Sequence, residues 1–127
     1  MNANPYSERV RELFARPAHA GEMATPHRAF IADQGVRIAF SATLSGAVIE
    51  RLRFQAWGCP HVIAAAEWVC TQLEGRPATD LQTFAVADLM QSLAVPMEKS
   101  GRILVIEDAV RALGAAISKT FTNTEQD

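Results

Sequence analysis

The chain has 127 residues, of which 49% are hydrophobic, and a formal net charge of −2 at pH 7. This length is typical of a single domain, residues 1–127, that can bury its own hydrophobic core. The charge offers no basic surface for nucleic acid or an anionic membrane, and no apolar run is long enough to span a bilayer. Because we find no signal-peptide pattern and the two cysteines form a poor disulfide framework, we expect a reducing cytoplasm.

The first segment with a helical period is followed by a segment without any clear period. Residues 4–7 can begin a helix that Pro17 ends. Its apolar face consists of Tyr6, Val10, Leu13 and Phe14. From residue 18 to about residue 32 we predict an irregular loop. Its two histidines, His19 and His27, lack the spacing of metal ligands, and we interpret them as solvated.

A β-hairpin is predicted next. Apolar and polar residues alternate from Val36 to Ser41, which is typical of a strand with one buried face. Ser45 and Gly46 form a turn signal, and a second alternating strand follows from residue 48 to residue 57. Trp57 falls on the face opposite Leu52 and Phe54, and we expect it to be packed rather than to be a docking residue.

The second strand leads into an alanine-rich helix through a sharp corner. We assign the corner to Gly58 because glycine adopts backbone angles that larger residues resist. Pro60 suits the first turn of the helix, which extends to about Leu73. Cys59 therefore lies near unpaired backbone N–H groups and the positive end of a helix dipole, an environment that lowers a thiol pKa. The alternative is that Cys59 is a small core residue, as we predict for Cys70.

The remainder of the chain is predicted to be helical. Short helices are expected at residues 79–84 and 87–90, a connector at residues 96–101, and a polar frayed tail at residues 122–127. The last helix has one apolar face, made of Ile103, Ile106, Val110, Leu113 and Ile117. We therefore predict an α+β fold in which a small antiparallel sheet of two or three strands is covered by helices, mainly on one side.

An ordered set of segments resembles a known family. The segments are residues 6–10 with Phe14 and Pro17, residues 54–59, residues 63–65, and residues 103–112. In order and spacing they resemble the IscU/NifU-type iron–sulfur cluster assembly scaffolds. The resemblance implies the IscU/SufE-like two-layer fold, a non-enzymatic role, and a cysteine desulfurase and a chaperone as partners. It also implies that three cysteines on separate loops, helped by an aspartate and a histidine, hold a nascent [2Fe–2S] cluster.

The chain departs from the family pattern at the cluster ligands. The first cysteine position falls near residues 32–34, where only Asp33 could bind metal, and the third falls on Gly101 and Arg102. Only the middle cysteine remains, as Cys59. By the family geometry we expect Asp33, Cys59, His61 and Arg102 to converge at one end of the sheet. One thiolate with Asp33 and His61 as further iron ligands is a poor cluster site, so we expect no stable cluster.

Three functions remain open at this point. The first is an iron–sulfur assembly scaffold with a degenerate site. The second is a SufE-like sulfur carrier that accepts persulfide sulfur on Cys59 alone, and the third is an interaction or regulatory module. A homodimer could bring two Cys59 side chains together. In the chaperone-binding segment, residues 94–99, only Pro96 and Lys99 persist, which argues against a chaperone contact.

Overall fold

A computed structural model describes residues 6–126, with side chains described through Thr120. The elements, in chain order, are α1 (Glu8–Ala15), β1 (His27–Asp33), β2 (Val36–Ser45), β3 (Val48–Trp57), α2 (Pro60–Leu73), α3 (Ala87–Ser92) and α4 (Ser100–Gln126). Two 3₁₀ turns lie at Ala78–Leu81 and Met97–Lys99. Among the described helices, none is both long enough and apolar enough to cross a membrane. The predicted start of the first helix at Asn4 and Pro5 lies outside the described residues.

The three strands form one antiparallel sheet in the order β1-β2-β3. Phe40 of β2 lies between Ala29 of β1 and Phe54 of β3, with a β-bulge at Thr43 and Leu44. One face of the sheet is buried beneath helices: α4 packs against β1 and β2, α2 packs against β3, and α1 packs on α2. The core residues of this face alternate along the strands, namely Ile38, Phe40, Ala42, Leu52 and Phe54. The predicted α+β architecture and its hairpin are confirmed.

The prediction of a loop through residue 32 was wrong, because His27–Asp33 forms the edge strand β1. Its inward residues Ala29 and Ile31 are only half-buried, and its outward residues include Arg28 and Phe30. An edge strand with small or half-buried inward side chains has a weak alternation in hydrophobicity. Its neighbour β2 supplies the backbone pairing that holds it, and that pairing leaves little trace in the local sequence.

Two helical segments also differ from expectation. The short helix expected at residues 79–84 is a single 3₁₀ turn, Ala78–Leu81. The helix α4 continues through Gln126, although a frayed tail was expected from Thr122. Asp127 lies outside the described residues.

Candidate functional site

Cys59 lies at the junction of β3 and α2, as the sequence predicts. It is the N-cap residue of α2, with Pro60 in the first turn, and its carbonyl oxygen accepts hydrogen bonds from the N–H groups of Val62 and Ile63 at 2.9 and 3.3 Å. The side chain of Cys59 is partly exposed. The structural role of Gly58 differs from the predicted one, because its φ angle is not in the left-handed region that favours glycine. A Cβ atom there would lie 3.1–3.2 Å from the buried Val62 side chain, so a larger residue would require Val62 to shift by a few tenths of an ångström.

The surroundings of Cys59 favour its thiolate. Burial raises the pKa of the Cys59 thiol, but nearby groups reverse this and hold the pKa below its usual value. These groups, in decreasing order of effect, are the N–H of Val62, the side chain of Arg102, the N–H of His61 and the charge of Lys99. All of them place positive charge or N–H dipoles near sulfur, and such groups stabilise an anion at a helix N-terminus. Cys70 is the opposite case, since burial first, and then Glu67 and Glu74, raise its pKa well above the usual value.

The start of α4 lies beside both Cys59 and the β1–β2 turn. The Arg102 side chain is near enough to the Cys59 sulfur to help lower the pKa of the thiol. A Cβ atom at Gly101 would lie 3.9 Å from the side-chain oxygen of Gln34, the neighbour of Asp33. Asp33 itself is exposed, and its Oδ1 accepts a hydrogen bond from the Gln34 N–H at 2.8 Å. The start of α4 therefore lies near both the β1–β2 turn and Cys59, with the Arg102 side chain on the side of the sulfur.

His61 lies in the first turn of α2, and its ring is enclosed by the protein. The residue is 2% exposed, and its ring centroid lies 4.8 Å from that of Tyr6, which precedes α1. Both ring nitrogens are buried and have no hydrogen-bond partner among the described residues. Burial, followed by the charge of Lys99, lowers the pKa of His61, while Glu98 acts in the opposite direction. A neutral imidazole is thus enclosed near α1, and only the His61 N–H acts on Cys59.

The prediction that Trp57 is packed was wrong. The side chain is 55% exposed, on the sheet face that helices do not cover. It borders a groove of about 460 Å³ whose other walls include Pro17, Phe54 and Ile63. The sequence placed Trp57 on the correct face but did not show that no helix among the described residues covers this face.

A charged cluster beside α2 was not recognised in the sequence. His19 was interpreted as solvated, but its Nδ1 lies 2.5 Å from Glu67 Oε2 and its Nε2 lies 3.2 Å from Glu74 Oε1. Glu67 also accepts the His19 backbone N–H at 2.7 Å, and Glu74 pairs with Arg53 at 2.7 Å. The partners are separated by dozens of residues, so no local pattern could reveal them. The cluster fixes the segment before β1 against α2.

The residues around Cys59 do not fit an iron–sulfur cluster held by this chain alone. An iron–sulfur cluster usually takes four thiolate ligands, and Cys59 is the one thiol at this end of the described sheet. Arg102 occupies the position beside it with a positive charge that opposes iron cations. Within the described ranges, no group of three histidine, cysteine or carboxylate side chains could hold a metal ion.

Comparison with known proteins assigns the chain to a family. The model of the NifU-like N terminal domain matches residues 5–125, and the chain belongs to this family. The bifunctional protein NifU/MnmA of Rubrobacter xylanophilus is 28% identical over 114 residues. The iron–sulfur cluster assembly scaffold protein IscU of Escherichia coli K12 is 29% identical over 65 residues. The resemblance inferred from the sequence is confirmed.

The matched regions are only parts of these relatives, while the fold matches nearly whole structures. The first alignment spans 84% of this chain and 23% of the relative, and the second spans 51% of each. The crystal structure of a NifU-like protein from Brucella abortus has a TM-score of 0.69 at 16% identity, covering 89% of this chain and 94% of that one. A SUF-system scaffold structure from Fervidobacterium islandicum AW-1 has a TM-score of 0.65 at 14% identity, covering 84% and 94%. At these identities the structures show a shared fold.

Proposed function

We propose that this protein takes part in iron–sulfur cluster assembly as a single-thiol member of the scaffold family, and that Cys59 carries sulfur rather than anchoring a complete cluster. The observation that carries the proposal is the Cys59 environment: a partly exposed thiol at the N-terminus of α2, whose pKa is lowered by backbone N–H groups and by the nearby Arg102 side chain. Family membership supports iron–sulfur cluster assembly as the process. The surroundings of Cys59 support sulfur transfer as the step. The chain acts as a carrier in this scheme and not as an enzyme.

The sulfur donor in this proposal is the persulfide of a cysteine desulfurase. The Cys59 thiolate attacks the outer sulfur of that persulfide and forms a new S–S bond. The old S–S bond breaks, and its electron pair stays on the desulfurase cysteine as a thiolate. No external oxidant or reductant is needed, since one persulfide replaces another. Arg102 and Lys99 then stabilise the anionic persulfide on Cys59, as they stabilise the thiolate.

The test is sulfur loading followed by mass spectrometry of the intact protein. The chain is incubated anaerobically with a cysteine desulfurase and cysteine, and the gain of one sulfur atom is mapped by peptide analysis. We expect the sulfur on Cys59, no loading of Cys59→Ser, and normal loading of Cys70→Ser. A wild-type chain that stays unmodified while an IscU control is loaded would contradict the proposal.

Reconstitution with iron separates the carrier from an ordinary scaffold. After addition of iron and sulfide and removal of free metal, we expect no visible charge-transfer absorption, because one thiolate cannot satisfy two irons. A stable absorption near one cluster per chain that disappears in Cys59→Ser would instead restore the scaffold with a bound [2Fe–2S] cluster. A chain that neither carries sulfur nor binds a cluster would support the interaction module.

A further inference from the structure

The orientation of the backbone in the sheet can be derived from a few hydrogen bonds. The Phe54 N–H donates to His19 O at 3.0 Å, and its carbonyl oxygen accepts from Gly21 N–H at 2.8 Å, so Phe54 turns both groups away from β2. In an antiparallel pair of strands, two opposed residues direct their backbone N–H and C=O groups either toward each other or away from each other. The two arrangements alternate along the strand. The backbone groups of Phe40, which lies opposite Phe54, therefore point toward β1. The backbone groups of Ala29, which lies opposite Phe40, point toward β2.

The same alternation identifies the residues at the open edge of β1. Because Ala29 and Ile31 direct their N–H and C=O groups toward β2, the intervening residues direct theirs away from the sheet. These outward residues are Arg28, Phe30 and Ala32. Within the described part of the chain, β2 is the only strand beside β1, and the backbone groups of these three residues have no other partner. All three are exposed, Phe30 by 58%. Such an edge is a template for another strand.

The sequence of β1 is complementary to itself in one antiparallel register. When Phe30 lies opposite Phe30 of a second copy, Arg28 of each copy lies opposite Ala32 of the other. This gives three facing pairs, each of which can exchange two backbone hydrogen bonds. The two phenylalanine rings then meet on the uncovered face, a favourable cross-strand pair. On the other face, His27 lies opposite Asp33 of the second copy and can donate to its carboxylate. The helix α4 packs beneath both β1 and β2, on the face opposite the two phenylalanine rings.

We propose that β1 is a self-association edge, through which two copies of this chain pair about a two-fold axis at Phe30 and form one continuous six-stranded antiparallel sheet. A second copy is favoured over another protein because the complementary pairs all come from His27–Asp33 itself. This inference does not depend on the proposed function of Cys59.

The pairing has a consequence for the thiols. Cys59 follows Trp57, which lies on the third strand from the axis, in the same row of the sheet as Arg37 and Ala32. With about 4.8 Å between strands and about 3.4 Å per residue, the two Cys59 residues lie roughly 30 Å apart at opposite corners of the dimer. This dimer therefore keeps the two thiols separate and does not build a two-thiolate cluster site.

A charge-exchange experiment tests the register directly by sedimentation equilibrium of the whole chain. Phe30→Glu and Phe30→Lys each place like charges opposite one another at the axis, and we expect each to weaken dimerisation roughly tenfold or more. An equimolar mixture of the two variants should regain the dimer, because opposite charges then face each other. Phe14, another exposed aromatic residue, provides the control: Phe14→Glu and Phe14→Lys should leave the wild-type association unchanged.

Amide hydrogen exchange of the wild-type chain tests the same edge without any substitution. We expect protection of the Arg28, Phe30 and Ala32 amides to rise with protein concentration, while Ala29 and Ile31 are already protected in dilute solution. A third variant, Ala32→Pro, removes one outward N–H and leaves the β1–β2 ladder intact, and it should weaken the dimer. A wild-type chain that sediments as a monomer up to its solubility limit overturns the proposal. So does a dimer whose formation leaves these three amides unprotected.

Discussion

At the scale of single residues, the proposed chemistry depends on one thiol, Cys59, whose neighbours lower its pKa. Sequence alone identified Cys59 and its helix N-terminus, because the strand, Gly58 and Pro60 follow one another in the chain. It also placed Arg102 nearby, but only through the family geometry. The sequence could not show that the His61 ring is enclosed against Tyr6, since this contact depends on how α1 docks on α2.

Replacement of Arg102 tests its effect on Cys59. Arg102→Leu removes a positively charged side chain that lowers the pKa of Cys59, so this pKa should rise. Alkylation of Cys59 by iodoacetamide at pH 7 should slow roughly threefold for each tenfold loss of thiolate, since a more basic thiolate is also more nucleophilic. The rate is followed by mass spectrometry against pH, with Cys70 as the slow internal reference. Arg102→Lys should retain most of the wild-type rate, and an unchanged pH profile in Arg102→Leu would contradict the assignment.

His61 gives the stability of the fold a dependence on pH. Its folded pKa lies below the ordinary value of 6.5, so the unfolded chain binds a proton first as the pH falls. The contribution of the neutral His61 ring to stability should therefore be complete above about pH 6.5. Below this pH the free energy of unfolding should decrease. Urea denaturation between pH 8 and pH 5 should show this decrease, and His61→Leu should reduce it. An equal decrease in the variant would show that other groups are responsible.

At the scale of elements, the parts that were predicted correctly are those with strong local periods. The hairpin β2–β3 and the helix α2 have clear alternation or helical spacing, whereas β1 depends on pairing with β2. The α4 boundary was misplaced because a polar sequence at a helix end still allows helical backbone. The sequence of Ala78–Leu81 likewise fits either a 3₁₀ turn or a short α-helix. Tertiary contacts decide such cases.

Two glycines in α4 should respond to alanine in opposite ways. A Cβ atom at Gly114 would lie 3.0 Å from the backbone nitrogen of Gln82 and 2.9 Å from Leu81 Cβ. Gly114→Ala should therefore lower the free energy of unfolding by about 1–3 kcal/mol, although alanine is the better helix former. Gly101→Ala meets only the Gln34 side chain at 3.9 Å and should be neutral or stabilising by up to about 1 kcal/mol. Urea denaturation of both variants decides, and equal effects would show that the contact at Gly114 is not tight.

At the scale of the whole molecule, the His19 cluster joins the helix layer to the sheet edge. Glu67 is 3% exposed, and its carboxylate accepts hydrogen bonds from both the backbone and the ring of His19. Glu74 extends the cluster to Arg53 and to the Leu52 N–H of β3. The connection before β1, which lacks a regular period in the sequence, is thereby held at His19 against both α2 and β3.

Loss of the Glu67 charge should loosen this connection. Glu67→Gln leaves the His19 ring with a weaker partner and should lower the free energy of unfolding by about 1–3 kcal/mol. Amide exchange should also become faster at Gly21, whose N–H donates to Phe54 O, and at Phe54, whose N–H donates to His19 O. Glu22→Gln, which alters an exposed pair with Arg28, should change stability by less than about 0.5 kcal/mol. Equal effects of the two variants would refute the role of Glu67.

The outer edge of β3 is occupied along much of its length. Ile49 bonds to Arg76 and Gly75, the Leu52 N–H donates to Glu74, and Phe54 bonds to the segment before β1. A sheet with one occupied edge can add a neighbour only at the other, so pairing through β1 consumes the available edge of both copies. Assembly by this route ends at two chains and cannot propagate into a fibril, however high the protein concentration becomes.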